Sequence, residues 1–463
     1  MAASTSTASV EFTGGTQGTV FRRGDAGWDA ARTPWVINVA HDPAAVALVA
    51  TADDVVDAVQ SAGACGLHVL AEGTGHGATP VGPLADTVLL RTSALKTVDV
   101  DPATSSSWVG AGAEWGQVSA AAAEHGLVAQ AGSAADVGVA GFLLSGGVSW
   151  LARSHGLAVN DILAVEMVDC RGVIRVVDAA TDPDLFWAIR GGGGGLGVVT
   201  RFRLRLHTVP TIVAGTLFFP IARGGEVLHA WRRWTTSVPE QTMSCARLLQ
   251  FPPLSELPDH LRGQALVSIE IVHQGGPDEL AELVSPLREL GPSIDTIAVI
   301  PAPRLAELHL DPPGPTPACG GGLLLDDLPA PAVDALISVA GHGSGSPLLS
   351  VELRHLGGAV GRSPEDSGAV GHFDARFLMY AVGITPDGPT TVKVADRVAR
   401  VERTLSPWAA DIQYANFVEH PCDRKRFHDR DTLRRLQRIK AVVDPDGMFL
   451  ASHPIPADLS PKS

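Results

Sequence analysis

The stretch EGTGHG at residues 72–77 follows a short apolar segment at 67–71 and precedes another at 87–91. Short apolar runs bounded by turn residues are typical of buried strands, so the sequence predicts a strand–loop–strand unit. Upstream, residues 51–66 carry apolar side chains at helical spacing, and the polar Thr51 predicts the position at which that helix begins. A glycine-rich loop is therefore expected between regular elements.

Two further stretches, at 132–147 and 190–197, are equally rich in glycine. Glycine-rich segments are by default tight turns. Three of them in one half of a chain, each with backbone N–H groups open to close approach, favour a ligand with phosphate oxygens. The sequence therefore predicts a large anionic cofactor along the N-terminal half.

The spacing Gly192-x-Gly194-x-x-Gly197 matches the dinucleotide fingerprint, but its context is reversed. That fingerprint needs a strand before it and a helix after it, so that the helix N-terminus faces the pyrophosphate. Here a helix is predicted at 182–189 and a strand at 198–206. A nicotinamide site of the Rossmann type is therefore excluded.

Composition narrows the class of protein and of partner. The chain has 463 residues, 45% of them hydrophobic, and a formal charge of −15, so a sizeable core is expected and a nucleic-acid partner is not. Five scattered cysteines indicate reduced thiols in a cytoplasmic protein, with no metal site. No apolar stretch predicts a membrane span. Both a monomer and a homodimer remain open.

A set of ordered motifs carries a resemblance. The chain resembles the FAD-linked oxidase family, and more closely its berberine bridge enzyme-like branch. The motifs are GHG at 75–77, VGVAG at 137–141, SGG at 145–147, Gly156, ND at 160–161, DLFWAIRG at 184–191, GVVT at 197–200, Tyr414-x-Asn416, and Ile439-Lys440 with Asp444-Pro445 and Phe449.

The resemblance implies an α+β fold. A PCMH-type FAD-binding domain of two subdomains would carry an inserted α+β substrate domain, an antiparallel sheet flanked by helices. The expected boundaries are an N-terminal tail at 1–30, the FAD-binding domain at 31–207, the substrate domain at 208–404, and a C-terminal segment at 405–463 that returns to the FAD domain.

The resemblance also implies the residues that hold FAD. His76 occupies the position at which the family attaches the flavin through its 8α carbon. Ala134 stands where some members have a second, cysteinyl link, so a single covalent bond is expected. Val137 falls where the family controls dioxygen access. The expected FAD-binding residues are Glu72, Gly73, Thr74, Gly75, His76, Gly77, Gly132, Ser133, Val137, Gly138, Gly141, Gly146, Gly147, Trp150, Asn160, Gly197, Val198 and Asn416.

Four residues are candidates for the chemistry. Tyr414 matches the family's tyrosine near the flavin and could act as a base if its pKa were lowered. Strand alternation over 348–355 places Ser350, Glu352 and Arg354 on one face. Glu352 could be a base, and Arg354 its partner or a carboxylate clamp; a structural ion pair is an equal alternative. Tyr380 could line the same pocket.

The resemblance implies an oxidase that takes a hydride from a C–H next to an alcohol or amine and passes the electrons to dioxygen. Its substrate would be a small natural-product intermediate, sugar or amine, as in secondary metabolism. A dehydrogenase and an oxidative cyclase using the same site remain alternatives, and a non-catalytic flavin-binding protein is a weaker one. The substrate is not specified by the sequence.

Overall fold

The computed structural model describes residues 19–253, 255, 261–312 and 314–456. The first 18 residues of the predicted tail lie outside this range. Three β-sheets with packed helices make up the described part, which confirms the α+β class. None of the helices in these ranges combines the length and the apolar composition that a membrane crossing requires.

The first sheet is built around the stretch 72–77. Its elements are β1 (Thr19–Phe21), α1 (Trp28–Arg32), β2 (Ala45–Leu48), α2 (Ala52–Ala64), β3 (His68–Glu72) and β4 (Thr87–Arg91). The strand order is β1-β2-β4-β3, and β1, predicted as part of a tail, pairs antiparallel with β2. Helix α2 begins as predicted, because Thr51 Oγ1 accepts the Asp54 N–H at 3.1 Å and Asp54 accepts the Thr51 N–H at 3.0 Å.

The second sheet is antiparallel, in the order β5-β6-β9-β7-β8, and contains the other two glycine stretches between its elements. These elements are β5 (Val98–Asp101), β6 (Ser106–Gly110), α3 (Trp115–Ala123), α4 (Val139–Leu144), α5 (Ala152–His155), β7 (Ile162–Val168), β8 (Ile174–Val177), α6 (Pro183–Ile189) and β9 (Val198–Arg205). The glycines at 191–197 follow a helix and precede a strand, which confirms the reversed order that excluded a Rossmann site.

The third sheet is antiparallel and large. Its elements are β10 (Val213–Pro220), α7 (Gly224–Trp234), β11 (Thr242–Gln250), β12 (Ala265–His273), α8 (Pro277–Arg288), β13 (Ile294–Asp295), β14 (Ala298–Val299), β15 (Ala318–Leu325), α9 (Ala330–Ala340), β16 (Ser350–His355), β17 (Phe377–Ile384) and α10 (Gly388–Leu405). The strand order is β13-β10-β12-β11-β16-β17-β15, with β14 also beside β10. Helices α7 to α10 pack on one face of it through a buried apolar cluster, so the expected sheet flanked by helices is confirmed.

Two glycines let the first and second sheets meet. A Cβ on Gly110 would lie 2.2 Å from the Leu95 carbonyl oxygen, and a Cβ on Gly112 would lie 1.8 Å from that of Thr92. No side chain fits at such distances. The Gly112 N–H instead donates to the Leu95 oxygen at 2.8 Å. Glycine at both positions therefore allows the close backbone contact that joins the two sheets.

The C-terminal segment extends the first sheet. After α11 (Arg430–Val443), the chain runs beside β3: the Val69 N–H donates to Met448 O at 2.8 Å, and the Leu450 N–H donates to Val69 O at 2.9 Å. Residues 448–450 thus return to the strand that leads into the stretch 72–77.

Candidate active site

A cavity of about 850 Å³ lies where the three sheets face one another. Ligand and cofactor sites commonly measure about 300–1,000 Å³, so this cavity is at the large end of the range. All three glycine stretches line it, together with residues 413–419 and 449–453 of the C-terminal segment and one face of the third sheet. The cavity thus brings together parts of the chain that are distant in sequence.

The loop 72–77 presents His76 to the cavity. Gly75 has a φ of +89°, and a Cβ there would lie 2.5 Å from Pro34 Cβ, so only glycine makes this turn. The His76 ring stacks on Trp35 with centroids 4.2 Å apart, and its Nδ1 is 2.8 Å from Thr74 Oγ1. Burial lowers the pKa of His76 to about 4, although Asp136 opposes the shift. The imidazole is therefore neutral and nucleophilic at pH 7.

Most of the predicted FAD-binding residues line the cavity. They are Glu72, Gly73, Thr74, Gly75, His76, Gly77, Gly132, Ser133, Val137, Gly138, Gly141, Gly197, Val198 and Asn416. These residues come from all three glycine stretches and the C-terminal segment, so the expectation that distant glycine loops share one ligand is consistent with their positions.

Four predicted FAD-binding residues are not among those that line the cavity, and their role stays a prediction: Gly146, Gly147, Trp150 and Asn160. Gly147 has a φ of +79°, and a Cβ there would lie 2.6 Å from the Phe142 ring, so it serves a tight turn. Trp150 is buried against His309, and the Asn160 amide donates to Gly371 O at 2.8 Å. These residues support the wall from behind.

One end of the cavity fits a polar, anionic cofactor. Arg424 Nε, His428 Nδ1 and His453 Nδ1 are buried without a hydrogen-bond partner, and all three residues line the cavity. Buried polar atoms are normally paired, so unpaired ones on a cavity wall indicate a ligand. Arg424 also donates to the Gly192 carbonyl oxygen. A guanidinium, two imidazoles and glycine backbone are a donor set that suits phosphate or adenine groups.

The opposite end is formed by the third sheet. Ser350, Glu352 and Arg354 of β16 all line the cavity, which confirms the predicted alternation. Val351 and Leu353 point the other way, into the cluster under the helices. Direct cross-strand pairing places Arg247 of β11 and Tyr380 of β17 on either side of Glu352.

A network of buried charges runs across this face. His309, from the segment between β14 and β15, bridges two carboxylates, with Nδ1 2.6 Å from Glu270 and Nε2 2.5 Å from Glu352. The other oxygen of Glu352 accepts from Arg354 Nε at 2.8 Å. Arg247 donates to Glu270 at 2.9 Å. The five side chains form one continuous set of ion pairs.

The network determines the favoured protonation states of His309 and Glu352. Burial and Arg247 lower the pKa of His309, but the carboxylates of Glu270, Asp311 and Glu352 outweigh them and raise it to about 9. Burial favours neutral Glu352, yet Arg354 and His309 together hold its pKa well below the ordinary value. A carboxylate so strongly stabilised is a poor proton acceptor, so the structure favours the ion-pair alternative for Glu352 over the base.

Three side chains of this region have ligand atoms close together. Those of Cys245, His309 and Glu352 lie within 4.8 Å of one another, a grouping that could hold a cation. Two of these groups are engaged in ion pairs: His309 Nε2 lies 2.5 Å from one Glu352 oxygen, and Arg354 Nε donates to the other. Burial raises the pKa of the Cys245 thiol well above its ordinary value.

Tyr414 lies at the cavity wall, but its environment opposes the predicted role. Its side chain is 2% exposed, and its hydroxyl accepts from the Val148 N–H at 3.1 Å and from Asn416 Nδ2 at 2.8 Å. Burial raises the pKa of Tyr414, and these two donors offset only part of the rise. A base needs a lowered pKa, so these contacts do not favour Tyr414 as the base, and that role stays a prediction. The Tyr414 hydroxyl instead joins Asn416 to the backbone of Val148, directly after the glycines at 146–147.

Tyr380 lines the cavity and donates its hydroxyl to Glu419. The second Glu419 oxygen accepts from the Gly320 N–H at 2.8 Å. Burial raises the pKa of Glu419, and these hydrogen bonds offset only part of that rise. A Cβ on Gly320 would lie 2.4 Å from the Tyr380 oxygen, so this glycine makes the space that the pair occupies.

Asp311 is the second cavity acid with a raised pKa. Burial raises that pKa, while His309 and Arg247 lower it only in part. Its nearest cationic atom is Arg247 Nη2, 3.7 Å away, and its side chain is 36% exposed. The preceding residue, Leu310, has a φ of +53°, which is rare for a leucine. Strain of this kind is common at functional sites, where surrounding structure maintains it.

Sequence reasoning missed several residues of the cavity and of its ion-pair network: Trp35, Asp136, Arg247, Glu270, His309, Asp311 and Glu419. They come from strands and loops that only the fold brings together. Two weak signals existed. Glu419 follows the Tyr414-x-Asn416 motif by three residues, and His309-x-Asp311 places two ionisable groups just before a Pro- and Gly-rich loop.

Comparisons with known proteins agree with this geometry. Residues 43–178 match the FAD binding domain family. An FAD-linked oxidoreductase of Dictyostelium discoideum is 25% identical over 95% of this chain and 94% of its own. The (R)-6-hydroxynicotine oxidase of Paenarthrobacter nicotinovorans is 29% identical, over 61% of each chain.

Solved structures share the fold. The 6-hydroxy-D-nicotine oxidase of Arthrobacter nicotinovorans superposes with a TM-score of 0.82 at 21% identity, covering 95% of this chain and 98% of that one. The berberine bridge enzyme-like 1 protein of Physcomitrella patens also gives 0.82, at 20% identity, covering 95% and 97%. These similarities confirm the PCMH-type fold.

The charge on His309 predicts a pH-dependent stability. Because folding raises its pKa from about 6.5 to about 9, the stabilisation is complete below pH 6.5 and is lost as the pH rises through about 9. His309→Gln should therefore lower the free energy of unfolding at pH 7 by more than at pH 10, as measured by urea denaturation. The exposed His342→Gln is the control and should change stability by less than about 0.5 kcal/mol. A deficit that is equal at both pH values would contradict the assignment.

Proposed function

We propose that this chain is an FAD-linked oxidoreductase that oxidises a C–H bond next to an alcohol or amine of a small organic molecule. The observation that carries the proposal is the cavity itself, which joins the glycine stretches to the charged face of the third sheet. FAD, when bound, would supply the hydride acceptor at flavin N5, and dioxygen would be the final electron acceptor, giving hydrogen peroxide. The residues of this chain bind the cofactor, orient the substrate and accept the substrate's proton.

His76 is the proposed attachment point of FAD, through an 8α-histidyl bond. Its imidazole is held by stacking and by a hydrogen bond, is neutral, and faces the cavity. Ala134 also lines the cavity and offers no thiol for a second bond. Val137 also lines the cavity, and in this proposal its small side chain leaves room for dioxygen. These features together favour a singly attached flavin in an oxidase.

The proton of the substrate O–H or N–H passes, in this proposal, to Tyr380 and Glu419. Tyr380 faces the cavity and already donates to Glu419, so the substrate proton moves to the phenol oxygen as the phenol proton moves to the carboxylate. No phenolate forms, which suits a tyrosine whose own pKa is raised well above its ordinary value by burial and Glu419. The raised pKa of Glu419 makes it a better acceptor near neutral pH than an ordinary carboxylate.

The carboxylate of Asp311 favours a substrate that carries an amine group over one that carries an acid group. The cations nearest to it, Arg247 and His309, are already paired with Glu270 and Glu352. A carboxylate without a full counter-ion gains most from a cationic ligand. The cavity wall also carries apolar side chains, among them Leu249, Phe251 and Leu349. A small amine with an apolar body matches both features.

The function is tested with the purified yellow protein. A panel of small amines and alcohols, read by peroxide release, should yield substrates, and acid precipitation should leave the flavin in the pellet. His76→Ala should release the flavin into the supernatant. A colourless wild-type pellet would refute the covalent bond, and flavin reduction without peroxide in air would refute the oxidase.

Glu419→Gln tests the proton acceptor. We expect a fall of about 100-fold or more in the rate of flavin reduction, and loss of the acidic limb of its pH profile, because that limb reports protonation of Glu419. Glu402→Gln is a matched control: Glu402 is a second carboxyl whose pKa burial raises, but it contacts β15 at Gly321, on the side of α10. An unchanged pH profile in Glu419→Gln would exclude the role.

Asp311→Asn tests the substrate charge. For an amine substrate, KM should rise about tenfold, equivalent to about 1.4 kcal/mol, while a neutral analogue of the same shape should be unaffected. Asp278→Asn, an exposed acid on α8, is the control. Equal effects on the charged and neutral compounds would refute the proposed contact.

A further inference from the structure

We propose that Leu310 is a specificity-determining residue whose side chain packs on the apolar body of the substrate, beside the amine that the neighbouring Asp311 binds. The inference rests on the proposed oxidation of a small amine and deepens it. It restricts the substrate to amines that carry an apolar ring or branched alkyl group next to the nitrogen. Polyamines and amino sugars are excluded.

The backbone of Leu310 has a conformation that leucine rarely adopts. Its φ is +53°, in the left-handed region, where the Cβ of an L-residue is crowded by a carbonyl oxygen. In the part of the chain that the structure describes, the one other residue that combines a side chain with a positive φ is Ser105, at +46°. Glycine or asparagine fits such a position better than leucine does. Backbone preference therefore does not account for a leucine here.

Packing inside the protein does not account for it either. Leu310 is 47% exposed and lines the cavity, whereas Leu308, two residues earlier, packs against a buried apolar cluster. An exposed leucine on a cavity wall gains free energy when a ligand removes its apolar surface from water. Contact with a ligand is thus the reason that we infer for a leucine at this position.

The residues on either side of Leu310 hold the strained conformation in place. The His309 imidazole is fixed by its two ion pairs, and its carbonyl oxygen accepts from Arg247. On the other side, Pro312 disfavours the helical region for Asp311. Strain of this kind persists only where the surrounding structure imposes it, and it recurs where proteins hold a ligand. Leu310 is therefore kept at the cavity wall before a substrate arrives.

The order of Leu310 and Asp311 along the chain defines the ligand. Consecutive Cα atoms are about 3.8 Å apart, so a ligand whose ammonium group meets the Asp311 carboxylate presents the carbon groups beside its nitrogen to Leu310. Leu249 and Phe251 add apolar surface to the same cavity. A ring beside the nitrogen fits this pair of residues. A second charge or a row of hydroxyl groups at that place would lose its water without gaining a partner.

Truncation of Leu310 tests the contact. The probes are α-methylbenzylamine and isopropylamine, which share the amine-bearing carbon and one methyl group, whereas only the first has a ring. The rate of flavin reduction in the holoenzyme without dioxygen, followed against amine concentration, gives the dissociation constant and the limiting rate separately.

We expect Leu310→Ala to raise the dissociation constant of α-methylbenzylamine about tenfold, because three carbons of the contact are lost. The limiting rate should stay within about twofold, because binding to the ground state and to the transition state is weakened equally. Isopropylamine, which has no ring, should bind to the variant as it does to the wild type. Val392→Ala is the matched control, since Val392 is an exposed apolar residue on α10, and it should change neither constant.

A second comparison tests the strained backbone. Leu310→Gly loses the same contact but tolerates the positive φ, so it should bind α-methylbenzylamine as weakly as Leu310→Ala and yet unfold at a higher urea concentration. Ser105→Gly relieves the other positive φ, at a residue that is not among those lining the cavity. It should raise the urea midpoint and leave amine binding unchanged. A glycine variant of Leu310 that is less stable than the alanine variant would contradict the strain on which the inference depends.

Failure of this inference and failure of the proposed function give different results. If putrescine or glucosamine reduces the flavin and α-methylbenzylamine does not, the chain oxidises amines but the role of Leu310 is overturned. Equal effects of Leu310→Ala on the two probes, or no effect on either, also overturn it. If no amine or alcohol reduces the flavin, the proposed function is refuted, and this inference with it.

Discussion

The substrate side of the cavity depends on mutual neutralisation of buried charges. Arg247, Glu270, His309, Glu352 and Arg354 come from three strands and one loop, and each is compensated by another member. Leaving one such charge unpaired costs about 3–5 kcal/mol, so the strands are held in one register and the loop in one position. Arg354 also donates to Ser133 at 3.1 Å, which ties this network to the cofactor side.

Local patterns were enough to predict the cofactor side. The glycine stretches, the start of α2 at Thr51 and the helix–loop–strand order around 191–197 all depend on residues that are close in sequence. The alternation on β16 was predictable for the same reason. The ion pair of His309 with Glu270 was not predictable, because the two residues are 39 positions apart and only the folded sheet brings them into contact.

The type of a residue predicted its chemical role less well than the groups around its side chain did. Tyr414 and Glu352 are suitable acids or bases in isolation, yet burial raises the pKa of the first, and two cations hold that of the second well below its ordinary value. Glu419 was overlooked, although burial raises its pKa in the useful direction. The sign of each shift depends on groups from distant segments, and no short motif contains that information.

The two walls of the cavity differ in what mutation can change. On the cofactor side, Gly75 lines the cavity and Gly110 and Gly112 flank the lining residue Ala111; all three meet neighbouring atoms so closely that any added carbon collides. Backbone atoms shape that wall, so almost no substitution of these glycines is tolerated. On the third sheet the wall consists of side chains that alternate along strands, each replaceable without moving the chain. New substrates can therefore be acquired one side chain at a time, while the cofactor half stays constant.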